Sequence, residues 1–120
     1  MKPRPIRTQM VAFGQQVGRW RKSPPKNSIA LIDRAIQKGF DIIELDVRIA
    51  NDGIAVLGHD DLIKGQSGEI SISATSSKEL SSFSIGEYNG ETQYIATLSD
   101  ALIQVKNKKV LMEVLYFFCW

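Results

Sequence analysis

One cysteine and one histidine stand among 120 residues, and both scarcities carry information. A lone Cys119 cannot close an internal disulfide, so the chain is not a disulfide-stapled secreted module, and a reducing, cytoplasmic setting is expected. His59 is the only histidine, so any acid–base work done by an imidazole falls to it. No apolar run approaches the roughly 20 residues that a membrane-spanning helix needs, so no transmembrane segment is expected. The first ten residues carry positive charge but no following apolar stretch, which argues against a cleaved secretory signal. A net charge of +2 is too small to argue for nucleic acid, and none is expected as a partner. Lysine and arginine cluster at Lys2, Arg4 and Arg7 and again from Arg19 to Lys26, a pattern that reads as solvated surface.

What remains is ordinary for a globular domain: 43% hydrophobic and 23% charged residues, in a length that fits one domain. Pro3 and Pro5 make residues 1–9 an irregular arm, and residues 10–120 form the domain. Met10–Phe13 is a short apolar run ended by Gly14, read as a first strand, and residues 14–26 read as loop. A helix follows, capped by Asn27 or Ser28, striped by Ile29, Ile32 and Ile36 with Leu31 and Ala35 beside them, and stopped at Gly39.

Asp41 to Ile49 is the most informative segment. Alternation puts Ile43, Leu45, Val47 and Ile49 on one strand face and Glu44, Asp46 and Arg48 on the other. On an open antiparallel sheet the charged row would face water; in a closed parallel barrel the apolar row would face helices and the charged row would line the barrel mouth. Asn51-Asp52-Gly53 turns the chain into a second apolar strand, Ile54 to Gly58, ending at His59-Asp60-Asp61. So short a turn suggests a hairpin, whereas neighbouring parallel barrel strands need a longer crossover, and the sequence leaves both open. Residues 64–76 are rich in Gly, Ser and Thr and read as loop, Ser77–Phe83 as a short helix, and Gly86–Gly90 as another loop. Thr97 caps a helix from Leu98 to about Val105, with Leu98, Ala101, Leu102 and Val105 as its buried stripe. Val110–Leu115 is a last strand carrying Glu113. Strand, helix, strand, strand, helix, strand is an α/β order.

Carboxylates two apart on one strand face, as Glu44 and Asp46 are, can both reach a hard cation that prefers oxygen ligands, and a third from a neighbouring strand would complete a three-sided site. A histidine that follows an apolar strand and precedes two aspartates is a candidate acid–base group.

The order and spacing of these segments resemble the glycerophosphodiester phosphodiesterase family. The matching stretches are Pro25-Lys26-Asn27-Ser28, Glu44-Leu45-Asp46-Val47-Arg48 with Asn51-Asp52-Gly53, His59-Asp60-Asp61, Ile95-Ala96-Thr97-Leu98 and Glu113. The resemblance implies a TIM-type (β/α) barrel with its site at the C-terminal ends of the strands. It implies Glu44, Asp46 and Glu113 as ligands of a divalent cation, Mg²⁺ or Ca²⁺, and His59 as one of a histidine pair working on the phosphodiester. The implied reaction releases glycerol 3-phosphate and an alcohol from glycerophosphodiesters.

The sequence also departs from that family. Ala12-Phe13-Gly14-Gln15-Gln16 stands where the family opens its barrel with His-Arg-Gly, so a second histidine and the phosphate-holding arginine are missing there. Arg19 or Arg21 from the loop, and Arg48, are the candidates left to hold phosphate. Lys26 replaces the acidic residue of the family's Pro-Glu-Asn segment, and Leu115 stands where a lysine commonly follows the glutamate. A complete barrel needs about 250 residues, so only the first half of the strands is expected here, with a missing C-terminal half or a second copy completing the core. The alternative reading is a catalytically impaired, truncated remnant that keeps the metal-binding carboxylates.

Overall fold

A computed structural model describes residues 23–116, together with the backbone of residues 8–9. The expected strand Met10–Phe13 and the residues Arg19 and Trp120 lie outside the described residues. Thr8–Gln9, assigned above to an irregular arm, form β1, which pairs in parallel with Ile42–Ile43.

Helix α1 spans Ile29–Gln37. Of its two possible caps Ser28 takes the role: its Oγ accepts from the Leu31 N–H at 3.1 Å and donates to the Pro25 carbonyl at 2.6 Å. Gly39, at φ 79°, ends the helix in the left-handed conformation. The helix buries Leu31, Ile32 and Ala35.

Strand β2, Ile42–Ile49, is the centre of a four-stranded sheet. Along one edge it pairs with β1 and with β3 (Ala55–Leu57); along the other it pairs in parallel with β8 (Leu111–Tyr116). Strands β2 and β3 are antiparallel, with Val47 opposite Leu57 and Ile49 opposite Ala55, so the short turn makes a hairpin and the parallel alternative falls. The apolar row Ile43, Leu45 and Val47 packs against α1 and against α3 (Leu98–Val105), in one core with Leu57, Ala96, Ala101 and Val105. The apolar row thus faces helices, which is consistent with part of a barrel wall.

Helix α3 begins at a capping box in which Thr97 Oγ1 accepts from the Asp100 N–H and Asp100 Oδ2 accepts from the Thr97 N–H. Leu102, expected in its buried stripe, is 47% exposed. An eight-residue helix meets the sheet along a narrow line, and Ala101 and Val105 occupy it. The Gln104 side chain donates to Asp33, tying α3 to α1.

Two segments expected as loops are hairpins. Strands β4 (Leu62–Gly65) and β5 (Gly68–Ser71) pair antiparallel, as do β6 (Ser84–Tyr88) and β7 (Glu91–Tyr94). Between the two hairpins, helix α2 covers only Ser77–Leu80, shorter than expected, and its first turn is held by Asp52, whose Oδ2 accepts from the Ser77 N–H and hydroxyl. These insertions enclose a second core of Ala50, Val56, Ile72, Leu80 and Ile95.

Gly65 lets the hairpins meet. A Cβ there would lie 2.2 Å from the Ser84 carbonyl oxygen and 2.5 Å from the Phe83 ring, with backbone unable to step aside. Gly65→Ala is therefore expected to cost about 1–3 kcal/mol through overpacking. Urea denaturation measures it, and an unchanged midpoint would show that the hairpins are not in contact.

Candidate functional site

The face of β2 opposite the helices carries Glu44, Asp46 and Arg48. Asp46 is 0% exposed, and neither of its carboxylate oxygens has a hydrogen-bond partner among the described residues. Glu44 Oε2 and Asn27 Oδ1 are likewise buried without partners among those residues. Four acceptor atoms thus sit out of water with no donor. Leaving such groups unpaired costs on the order of 1–3 kcal/mol each, so the three on the β2 face, from Glu44 and Asp46, call for a positive occupant.

Parallel pairing sets Glu113 of β8 directly opposite Glu44. Burial raises the Glu44 pKa, and the facing Glu113 charge, a shared hydrogen bond and Asp46 raise it further. Burial likewise raises the Asp46 pKa; His59 and the Asn27 amide pull it back, and Asp60 pushes it up. Asn27 adjoins Asp46 closely enough to favour the carboxylate, without a hydrogen bond of full geometry to either oxygen.

His59 follows β3 on a short, well-anchored turn. Arg48 Nε donates to the His59 carbonyl at 2.9 Å, and the Gly58 N–H donates to the Asp46 carbonyl at 3.0 Å. Asp60 Oδ1 lies 3.0 Å from His59 Nδ1. Asp61 is fixed from outside: Ser71 Oγ and the Ser73 N–H each donate to its carboxylate at 2.8 Å. Burial works against the Asp61 charge, but those bonds outweigh it and hold the pKa below the ordinary value. The inserted hairpin thereby positions the histidine turn.

A cleft of about 520 Å³ opens beside this turn, with Lys26, Asn27, Gly58, His59 and Asp60 on its polar side and Ile63, Ile85 and Ile95 among its apolar walls. Glu44, Asp46 and Glu113 do not line it. Among the described residues no three His, Cys, Asp or Glu side chains gather closely enough to hold a metal ion by themselves. Both Asp46 oxygens and Glu44 Oε2 are nevertheless hard-oxygen donors without a hydrogen-bond partner among the described residues, which fits a divalent cation. Of the sequence candidates, Glu113 lies opposite Glu44 in the sheet, and His59 lies near enough to Asp46 to act on its charge. Arg48 is bonded to the His59 backbone, and Arg19 and Arg21 lie outside the described residues. Asn27, weighed only as a cap, belongs to the site.

The Asp46 burial has a consequence for pH. A carboxylate whose folded pKa is raised opposes folding once ionised. The cation-free chain should therefore lose this part of its stability as pH rises from the ordinary aspartate value, about 3.9, through the raised one. Asp46→Asn removes that dependence and is expected to stabilise the cation-free chain by about 1–2 kcal/mol near neutrality. The gap between variant and parent should close on acidification; thermal melts at several pH values show whether it does.

The family model described as the glycerophosphoryl diester phosphodiesterase family matches residues 20–117. A curated relative, the glycerophosphodiester phosphodiesterase of Caldanaerobacter subterraneus subsp. tengcongensis, is 31% identical over 97 residues, covering 78% of this chain and 40% of that protein. Among solved structures, a glycerophosphodiester phosphodiesterase from Agrobacterium tumefaciens superposes with a TM-score of 0.77 at 21% identity, over 96% of this chain and 48% of its own. An Oleispira antarctica phosphodiesterase, solved with its product sn-glycerol-3-phosphate, gives a TM-score of 0.75 at 25% identity, over 98% and 45%. The chain thus spans less than half the length of these relatives, and its sheet and helices correspond to part of their fold. On the matched segment and the curated relative, the chain belongs to the glycerophosphoryl diester phosphodiesterase family.

Proposed function

We propose that this chain carries the first part of the active site of a cation-dependent phosphodiesterase that hydrolyses glycerophosphodiesters to glycerol 3-phosphate and an alcohol. The observation that carries the reading is the set of buried, unpartnered oxygens, both of Asp46 and Oε2 of Glu44, on the strand that pairs with Glu113, next to the His59 turn. Glu44, Asp46 and Glu113 would hold the cation, Mg²⁺ or Ca²⁺, which when bound neutralises phosphoryl charge. The residues of the chain do the rest. Lys26 and Lys64, on the cleft, offer positive charge to a phosphodiester, and Arg48 fixes the backbone of the histidine turn while adding charge nearby. His59, oriented by Asp60 at Nδ1, moves a proton to or from the reacting oxygens. In the overall step water supplies the new P–O bond, the P–O bond to the alcohol breaks, and the alcohol leaves with a proton.

No helix among the described residues is long and apolar enough to cross a membrane, and the cytoplasm is the compartment this reading takes. A complementing half-barrel, as further chain or a second copy, is part of the proposal: among the described residues β8 pairs only with β2, and Leu111 on it is 69% exposed.

Phe13 in place of the family's first histidine favours a second reading, a remnant that binds cation and diester without turnover. Release of glycerol 3-phosphate from glycerophosphocholine, with Mg²⁺ or Ca²⁺ and again after chelation, separates the two. Cation-dependent release establishes the first; cation binding with no release establishes the second; neither binding nor release defeats both.

A further inference from the structure

We infer that Asp61 is a positioning residue for the reaction: it sets where His59 stands by bonding the histidine turn to the inserted hairpin. The kinetic part of the inference rests on the phosphodiesterase reading above; the placement of the imidazole does not. Three donors from one short stretch converge on Asp61. Ser71 Oγ donates to Oδ2 at 2.8 Å, the Ser73 N–H to Oδ1 at 2.8 Å, and the Ile72 N–H to the Asp61 carbonyl at 2.9 Å. Ile72, between the two serines, is 0% exposed in the second core with Val56, Leu80 and Ile95. Asp61 is thereby anchored to close-packed side chains.

The chain also enters the turn over the same isoleucine: a Cβ on Gly58 would lie 2.6 Å from Ile72 Cδ1. His59 therefore has an anchored residue before it and another after it, while its own ring is 43% exposed and lines the cleft. Asp60 bonds the ring at Nδ1 but is itself 75% exposed, so it orients the imidazole without holding the turn. Asp61 holds the turn. A proton-transfer group tolerates little displacement, since a shift of about 1 Å can cost about 100-fold in rate.

The test reads His59 directly, because one histidine in the chain gives one set of imidazole resonances. The full chain, Asp61→Ala, Asp61→Asn, Ser71→Ala and, as control, Asp52→Ala are compared by NMR of the ring and by cation-dependent hydrolysis of glycerophosphocholine. Asp61→Ala should displace or broaden the ring resonances and lower kcat about 10–100-fold with little change in KM. Asp61→Asn should restore both, since its amide oxygen accepts from the Ser73 N–H and its NH₂ donates to the Ser71 hydroxyl. Asp52→Ala removes a comparable carboxylate–serine pairing, that with Ser77, and should leave the ring resonances at their parent positions. Parent-like resonances in folded Asp61→Ala, or an equal displacement in Asp52→Ala, overturn the inference. So does an unchanged kcat in Asp61→Ala where the parent is active. Should Asp61→Ala not fold, Ser71→Ala decides: displaced resonances support the inference and parent-like ones overturn it. Absence of turnover by the parent removes the hydrolytic reading, and the ring resonances then decide the role of Asp61 by themselves.

Discussion

His59→Ala is expected to lower cation-dependent phosphodiester hydrolysis by about 10²–10⁴-fold, the usual loss when a positioned acid–base group is removed. Its fold and its Ca²⁺ binding should stay intact. The ring is 43% exposed and packs into neither core, so truncating it opens no buried cavity. What keeps the turn in place is Arg48 bonded to the His59 carbonyl and the Ser71 and Ser73 bonds to Asp61, none of which needs the imidazole. Asp60→Asn should cost less, because Asp60 orients the ring at Nδ1 and does not replace its proton transfer. Parent and His59→Ala chains that hydrolyse glycerophosphocholine at the same rate would remove His59 from the chemistry.

The elements set by local chemistry were legible in the sequence. Thr97 with Asp100 three residues on, and Gly39 after an apolar stripe, located α3 and the end of α1 where the structure has them. The last strand was displaced by one residue, Leu111–Tyr116 against an expected 110–115. Alternation in β2 sorted Glu44 and Asp46 from Leu45 and Val47, but which face meets helices depends on α1 and α3 and is not written in the strand itself. The hairpins were missed for a different reason. Residues 62–71 and 84–94 form strands of only four or five residues, and of these Ile63, Ile70 and Ile85 alone pack on the second core, so too few apolar positions recur to mark a period of two. Asn89-Gly90, with φ of 51° and 80°, is nevertheless the two-residue turn that favours a hairpin, and it was the usable signal. Asn27 was taken as an alternative cap because asparagine and serine cap equally well. The choice fell to Ser28, whose φ of −98° and ψ of 157° is the extended geometry a cap needs, while Asn27, at φ 57°, is left-handed.

Leu45→Ala is expected to destabilise the chain by about 2–5 kcal/mol, the range for emptying a buried leucine site. Leu45 is 0% exposed and lies in the core shared by Leu31, Ile32, Ala101 and Val105, with sheet on one side and helices on the other. Neither α1 nor α3 can move in to fill the gap without breaking its own contacts, because the Gln104–Asp33 bond and the hydrogen bond from the Leu57 N–H to the Ala96 carbonyl fix their approach to the sheet. Against a total stability of about 5–15 kcal/mol, such a loss leaves a large unfolded fraction at modest urea. Leu102→Ala, at a site 47% exposed on the outer face of α3, should stay within about 0.5 kcal/mol. Equal midpoints for the two variants would mean that the apolar row of β2 does not face the helices, and the barrel-wall arrangement would fall with it. Because Leu45 sits between Glu44 and Asp46, the same packing that stabilises the chain also sets the direction of both carboxylates. A folded Leu45→Ala chain should therefore bind Ca²⁺ more weakly than Leu102→Ala, although neither leucine bears an oxygen that could touch the ion.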